Sequence, residues 1–283
     1  MFLFPTWLLL SFLIGISSNA YNFLNRFLLK DGDDPTAYAW YNEILRFVVF
    51  GFFAIFNWQA VITPYSLLLF LLVGLTEFIG GYWYMKMHAY SHLSISSILY
   101  RSRLIWVALI AFLVTGEQLH LFGYLGIAIV FLGVSLTVAP KKIFIDKGAM
   151  YANLCAFIVA VNIVLVKMLT PFGSPVVINF AMALPSVILY PLFVRSSKTR
   201  MKTLLKTNIA LKTFAVFLSI IQLFLFTLAV RIGDVSKVNA VYQGMIIFSV
   251  LAGIIFLKER ENIAKKLIGA TITIIGVVLL SFS

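Results

Sequence analysis

The sequence predicts an all-α membrane protein with ten transmembrane helices, arranged as two inverted five-helix repeats. Three observations lead to this prediction. The 283 residues are 62% hydrophobic and only 11% charged, with a mean hydropathy of +1.03, which leaves too little polar surface for a water-soluble protein of this size. Ten apolar segments are long enough to cross a bilayer. A helical hairpin recurs about half a chain later with several of the same residues.

The predicted spans follow from the segments between helix-breaking residues and charge clusters, because a spanning helix needs about 20 mostly apolar residues. No Lys or Arg precedes the first segment, so we expect a retained helix and not a cleaved signal peptide. The ten predicted spans are 6–25, 36–57, 65–86, 93–114, 120–138, 148–168, 175–194, 209–230, 236–257 and 264–282.

The repeated hairpin occupies residues 94–136 and 236–279. Five predicted spans separate equivalent points of the two copies, so the second copy enters the membrane from the opposite face. We therefore predict two five-helix repeats, 1–140 and 141–283. A shift of 142 residues superposes Ser94 on Ser236, Tyr100 on Tyr242 and Glu117 on Glu259, and one further residue brings Gly126 and Gly133 onto Gly269 and Gly276.

Lys and Arg are distributed unevenly between the two sides of the predicted membrane. Short loops rich in these residues stay in the cytoplasm, so we expect both termini outside the cell. Anionic lipid headgroups can neutralise such loops, and the net charge of +12 therefore requires no nucleic acid. The basic loops hold Lys30; Lys141, Lys142 and Lys147; Arg195, Lys198, Arg200, Lys202 and Lys206; and Lys258, Arg260, Lys265 and Lys266, against Lys167, Arg231 and Lys237 on the other side.

Five charged residues fall near the middle of the second, third and fourth predicted spans: Glu43, Arg46, Glu77, Arg101 and Arg103. On insertion scales a charge at the bilayer centre costs about 2.5 to 3.5 kcal/mol, so each one needs a partner, a cavity or a function. Depth matching across the hairpin places Glu77 and Arg103 at the same level, so these two residues can be neighbours. Surplus Arg favours an anionic or zwitterionic ligand, because a guanidinium binds carboxylate or phosphate in bidentate fashion. The alternative is that these residues are structural ion pairs.

Polar residues on other predicted helices form stripes that lipid cannot satisfy, so we expect them to face inward. The first helix carries Gly15, Ser18 and Asn22 on one face. Tyr100 and Tyr242 occupy equivalent positions and would approach a pseudo-twofold axis from both halves. The candidate substrate-binding residues are Asn22, Glu43, Arg46, Glu77, Tyr100, Arg101, Arg103, Tyr242 and Gln243.

We predict no metal site, no cofactor and no internal disulfide. The single cysteine, Cys155, lies inside a predicted span, where a small packing residue is the simpler interpretation. His88 and His92 share a helical face, but two His residues without a nearby carboxylate only weakly indicate a metal site.

Small residues line one face of the fifth and tenth predicted helices. These faces suit close helix packing. We expect the contact inside one protomer, with a dimer interface as the alternative, so the protein is predicted to be a monomer or a homodimer. The residues are Gly126 and Gly133 in the first half, and Gly269, Thr273 and Gly276 in the second.

The repeated hairpins resemble a known family. Each has an apolar helix that ends in TGEQL or LKERE, followed by a helix of the form GxxxxxxGVxL, as in the EamA domain of the drug/metabolite transporter superfamily. The resemblance implies ten helices in two inverted halves and a central cavity lined by helices one to four and six to nine. It also implies export or exchange of amino acids, related metabolites, nucleotide sugars or drugs.

We predict a transporter and not an enzyme. The expected function is secondary transport of a small anionic or zwitterionic metabolite, such as an amino acid or related compound, by alternating access around a midplane site. Coupling to protons through Glu77 or Glu43 depends on the pairing of these carboxylates. Two alternatives stay open. A lipid-linked sugar flippase of the same superfamily would open laterally to lipid, and an intramembrane enzyme would need a nucleophile with a base or a metal set.

The expected partners are a small-molecule substrate and membrane lipid, without nucleic acid. A compact multi-pass chain without a targeting extension predicts the inner (cell) membrane of a prokaryote.

Overall fold

The computed structural model describes residues 5–30, 34–90, 99–138, 147–245 and 263–282. Helices make up nearly all of this described chain. They are α1 (Thr6–Lys30), α2 (Pro35–Phe56), α3 (Pro64–Tyr90), α4 (Arg103–Thr115), α5 (Leu121–Val138), α6 (Lys147–Leu169), α7 (Pro175–Phe193), α8 (Ser197–Leu204), α9 (Ile209–Ile232), α10 (Val235–Gly244) and α11 (Ile263–Ser281).

Within the described residues, seven helices are long and apolar enough to cross a membrane: α1, α2, α3, α6, α7, α9 and α11. α5 is equally apolar but shorter. The predicted fourth and ninth spans continue into residues 93–98 and 246–257, which lie outside the described part of the chain. The protein is therefore an all-α, multi-pass integral membrane protein.

Local sequence explains where several helices begin and end. Asp34 precedes α2 and its carboxylate accepts hydrogen bonds from the Thr36 and Ala37 amides, at 2.9 and 3.2 Å. Proline, which lacks the amide hydrogen that a first helical turn leaves unused, opens α2, α3 and α7. Gly116 ends α4 with a φ of 70°, a left-handed conformation that costs glycine little.

The helix pairs obey an approximate twofold relation. α1 packs along α9, and α3 packs along α6; the predicted repeat makes these two pairs equivalent. α2 packs on α7, and α5 packs on α11, so each of these pairs joins a helix to its own equivalent. A twofold axis between the two halves would produce both kinds of pair.

The fourth helix of the first predicted repeat is interrupted. Residues 99–101 are helical, Ser102 forms a turn whose hydroxyl donates to the Leu99 carbonyl at 2.6 Å, and α4 begins at Arg103. In the second half α10 ends at Gly244, the repeat equivalent of Ser102. The residues that follow Met245 lie outside the described part of the chain.

α8 is a short basic helix between α7 and α9, which the hydropathy pattern did not predict. It contacts the start of α2, where Arg200 donates from Nη2 to Asp34 Oδ1 at 2.7 Å and from Nε to Oδ2. Partial burial acts to raise the pKa of Asp34, but the hydrogen bonds from Arg200 and the two backbone amides outweigh it and lower this pKa. The ion pair therefore stays formed at neutral pH.

Large apolar side chains cover the outside of the molecule, where lipid replaces water as the solvent. Cys155 is fully buried and its thiol points to the Gly80 carbonyl at 3.5 Å, which fits the predicted packing role. More than half of the side-chain surface is exposed at Ile55, Phe56, Leu113, Leu121, Leu132, Leu192 and Phe193.

α5 and α11 pack at backbone distance through their glycines, inside one chain as expected. A Cβ atom on Gly133 would lie 2.6 Å from the Thr273 nitrogen and 2.7 Å from the Gly269 carbonyl oxygen. A Cβ atom on Gly276 would lie 2.7 Å from the Val130 nitrogen. These neighbours are backbone atoms, which cannot rotate away.

We predict that Gly133→Ala lowers the melting temperature in detergent, because overpacking of a tight core costs about 1–3 kcal/mol. The control is Gly81→Ala, whose Cβ would make only ordinary contacts, the nearest at 3.7 Å. Gly81→Ala should melt at or above the temperature of the parent, since alanine favours helices. Equal melting temperatures for the two variants would contradict the close contact.

Candidate functional site

A cavity of about 140 Å³ lies between the two halves of the protein. α1, α2, α3, α6, α7, α9, α10 and the segment from Tyr100 to Arg103 contribute its wall. Seven of the predicted substrate-binding residues line this cavity: Asn22, Glu43, Arg46, Glu77, Tyr100, Arg103 and Tyr242.

The first charged feature of the cavity is a triad in which two carboxylates share one guanidinium. Arg46 Nη1 lies 2.5 Å from Glu43 Oε1 and 2.5 Å from Glu77 Oε1. The side chains of Arg46 and Glu43 are 4% and 5% exposed, whereas that of Glu77 is 18% exposed. With all three ionised the triad carries one excess negative charge, and Glu77 presents the more accessible carboxylate. We call these three residues the acidic triad.

Buried polar atoms around the acidic triad have unused hydrogen-bonding capacity. Within the described residues, Glu43 Oε2, Arg46 Nη2 and the Tyr190 hydroxyl have no hydrogen-bond partner. Tyr190 is fully buried, and a Cβ atom on Gly81 would lie 3.7 Å from its hydroxyl and 4.0 Å from Glu43 Oε1. Because unsatisfied buried polar groups are costly, these atoms fit contacts with a bound molecule or water.

The predicted match in depth between Glu77 and Arg103 did not identify the ion-pair partner of Glu77. Both residues line the cavity, but the ion pair of Glu77 is with Arg46. Counting residues from the hairpin gives the depth of a side chain, but not the direction in which it points around the helix. The turn at Ser102 also displaces Arg103 from the straight helix that the count assumed.

The second charged feature is Arg103, whose guanidinium lies against two tyrosine rings. Its centre is 4.3 Å from the ring centroid of Tyr100 and 5.3 Å from that of Tyr242, and Nη1 donates to the Tyr100 hydroxyl. None of the carboxylates in the described residues is within ion-pair distance of Arg103. Aromatic faces stabilise a cation only partly, so Arg103 retains the capacity to bind an anionic group.

The two other candidate substrate-binding residues, Arg101 and Gln243, do not line the cavity. Arg101 Nη1 donates to the Gln243 carbonyl oxygen at 3.3 Å, and the Gln243 side chain donates to Asn239 Oδ1 at 3.0 Å. Equivalent residues of two repeats meet only near the axis that relates them, so this contact marks the pseudo-twofold axis. Tyr100 and Tyr242 approach the same region, as the repeat predicted.

The structure adds neutral polar residues that the sequence did not single out. The Asn42 amide donates to the Tyr21 hydroxyl, and the Tyr84 hydroxyl donates to Asn22 Oδ1. Tyr84 lies seven residues after Glu77, two turns along the same face of α3, so helical spacing could have identified it. Further cavity residues of this kind are Asn162 and Thr227. Ser18, which the sequence predicted to face inward, also lines the cavity, as do Ser219 and Gln222.

A sequence model of the EamA-like transporter family matches residues 5–139 and 146–282 of the chain. The protein belongs to the EamA-like transporter family. It is therefore a membrane transporter of the drug/metabolite superfamily, and its family is one of transporters and not of enzymes.

A solved structure also resembles this EamA-like transporter. It is described as "Crystal structure of protein" and has a TM-score of 0.70, with 14% identity, over 96% of this chain and 98% of that chain. At this identity the likeness shows the fold alone. No curated protein matches the chain.

No group of three or more His, Cys, Asp or Glu side chains that could hold a metal ion occurs among residues 5–30, 34–90, 99–138, 147–245 and 263–282. His92 and the side chain of His88 lie outside the described part of this EamA-like transporter.

We predict that Arg46→Gln destabilises the transporter by about 3–5 kcal/mol, because two buried carboxylates then lose their shared cation. The measurement is the melting temperature in detergent at neutral pH. A triple variant with Glu43, Arg46 and Glu77 all replaced by Gln should melt at a higher temperature than Arg46→Gln, since it buries no net charge. If the triple variant were the less stable of the two, the charge-sharing account would be wrong.

Proposed function

We propose that this EamA-like transporter is a secondary carrier of a small zwitterionic metabolite, an amino acid or a related compound. One observation carries the proposal: the cavity has an acidic triad with excess negative charge and, separately, an Arg103 that pairs with none of the carboxylates among the described residues. A zwitterion can place its ammonium beside Glu77 and its carboxylate beside Arg103. A purely anionic ligand would pair with Arg103 but not with Glu77.

The size and lining of the cavity support a small ligand. A volume of about 140 Å³ is below the 300–1,000 Å³ that is usual for drug-sized ligands. Apolar side chains of α6 and α9 also line the cavity, and they can contact the uncharged part of a metabolite. These side chains are Val159, Ile163, Val166, Leu223 and Phe226.

The transport cycle that we propose is alternating access between two inverted repeats, 1–140 and 141–283, with ten spans in total. The symmetric helix pairs and the two family matches support this arrangement. In our proposal both termini lie outside the cell and α8 faces the cytoplasm of a prokaryote, because the Lys- and Arg-rich loops then stay inside. A midplane site at the interface between repeats is typical of such carriers.

The acidic triad also supports coupling to protons. Its excess negative charge can be neutralised either by the ammonium of the ligand or by a proton, so the two would compete for the triad. Competition of this kind produces exchange of ligand for proton. Glu43 is the more buried carboxylate and faces Arg46, Glu77, Tyr21 and Tyr190; Glu77 is the more accessible one.

We predict that Arg103→Gln raises the KM for uptake into proteoliposomes at least about tenfold, since one charge-assisted hydrogen-bonded contact is worth about that much. A panel of amino acids and related zwitterions supplies the substrates. Arg103→Lys should fall between parent and Arg103→Gln, because it keeps the charge but loses the planar fork. The control is Arg231→Gln at an exposed position, and uptake unaffected in Arg103→Gln would contradict the proposed anion contact.

We predict that Glu43→Gln abolishes the response of transport to an imposed pH gradient while ligand exchange continues. Glu77→Gln should instead raise the KM, because it removes the accessible carboxylate that faces the ammonium. The measurement is counterflow with and without a pH gradient in proteoliposomes. A parent protein whose transport ignores the gradient would disprove coupling without affecting the zwitterion assignment.

A further inference from the structure

α10 carries Tyr242 into the cavity, and both ends of this ten-residue helix contact charged side chains of the first repeat. A helix leaves its first amides and last carbonyls without internal partners, and these ends carry partial positive and negative charge, respectively. The residues at both ends of α10 are buried, so this short helix needs an acceptor at its start and a donor at its end.

The acceptor at the start of α10 is Glu117. Its carboxylate accepts from the Val235 amide at 3.0 Å through Oε2 and from the Ser236 amide at 3.1 Å through Oε1. Asp234 occupies the usual capping position but makes no capping hydrogen bond with its side chain. Glu117 directly follows Gly116, whose left-handed conformation turns the chain out of α4.

The donor at the end of α10 is Arg101, which donates to the Gln243 carbonyl at 3.3 Å. The helix ends one residue later, at Gly244. α1 closes the other side of this end, because a Cβ atom on Gly15 would lie 2.9 Å from the Tyr242 carbonyl oxygen and 2.3 Å from Met245 Cβ.

We propose that Arg101 and Glu117 are positioning residues that hold the two ends of α10, and so keep Tyr242 beside Arg103. The side-chain charges are opposite to the partial charges of the helix ends, with the anion at the amino end and the cation at the carboxyl end. The ring of Tyr242 is held further by an edge contact with Phe226 at 5.9 Å between centroids. Both charged residues belong to the first repeat, whereas the helix they hold belongs to the second.

Arg101 and Glu117 do not line the cavity, and the contacts with α10 give both residues a role. Arg101 lies behind the cavity wall, and Glu117 is the acidic residue of the repeated hairpin motif. In this account neither contacts the ligand. The contacts stand independently of which ligand is transported, and only their effect on transport rests on the proposed function.

The test measures the position of Tyr242 and the opening of α10 without any ligand. Fluorotyrosine at position 242 reports the local environment by fluorine NMR in nanodiscs, and hydrogen exchange reports the amides of residues 235–244. We expect Arg101→Gln to shift the resonance at position 242 and to speed exchange at the carboxyl end of α10 about tenfold. Arg101→Lys should restore both, because it returns a cation to the carbonyl.

Matched controls distinguish a local change at Tyr242 and α10 from destabilisation of the whole protein. A second fluorotyrosine at Tyr124, on the outer surface of α5, should keep its resonance in Arg101→Gln. Arg231→Gln, which removes an exposed Arg, should change neither signal. An unchanged resonance at position 242 in folded Arg101→Gln, or equal changes at both labels, would overturn the proposal.

Glu117→Gln tests the opposite end if Arg101→Gln fails to fold. We expect faster exchange of the amides at residues 235 and 236, with residues of α9 unaffected. Unchanged exchange at these two amides would overturn the proposal as well. If both variants behave as expected while no zwitterion is transported, the positioning roles of Arg101 and Glu117 stand and only the substrate assignment fails.

Discussion

A bilayer provides no water to solvate a single charge, and this constraint determines where Glu43, Arg46 and Glu77 can lie. One guanidinium serves both carboxylates at 2.5 Å, which joins α2 to α3 and places their polar faces around one cavity. Because one cation cannot neutralise two anions, the acidic triad keeps an excess negative charge that can bind a further positive group. Arg103, which lies against the rings of Tyr100 and Tyr242, can bind an anion. The proposed zwitterion would bind both sites, with its ammonium at the acidic triad and its carboxylate at Arg103.

The two halves share their architecture but not their charges. α5 and α11 contact through equivalent glycines, and α10 ends at Gly244, the equivalent of Ser102, where the fourth helix of the first half turns. In contrast, the charged side chains that line the cavity, among the described residues, all come from the first half, and they are Glu43, Arg46, Glu77 and Arg103. The second half contributes neutral Ser219, Gln222 and Tyr242. Arg101 faces its own equivalent, Gln243, so a cation and a neutral residue meet at the pseudo-twofold axis. Duplication supplies the scaffold of the site, and divergence of the first half supplies its chemistry.

Much of this could be predicted from the sequence, because the membrane restricts what each residue type can do. Apolar segments of sufficient length predicted the spans, and glycines at helical spacing predicted the contact of α5 with α11. Polar residues near the middle of spans predicted most of the cavity, since lipid offers them no partner. Periodicity does not specify how a helix is rotated about its axis after an interruption, so the contact of Arg101 with Gln243 and the ion pair of Glu77 with Arg46 could not be predicted. Tyr84 was missed because tyrosine is also a common packing residue, and α8 because it is short and charged.

The central claim is that the cavity has two separate poles of opposite charge, and a matched series of three ligands tests it most directly. The series consists of a small amino acid, the amine that lacks its carboxylate, and the acid that lacks its amino group. A ligand that binds the folded protein raises its melting temperature in proportion to RT ln(1 + [L]/Kd). The account predicts that the amino acid stabilises the purified protein and that each half-ligand does so far less, with the advantage lost in Arg103→Gln. Equal stabilisation by the amino acid and either half-ligand would contradict it.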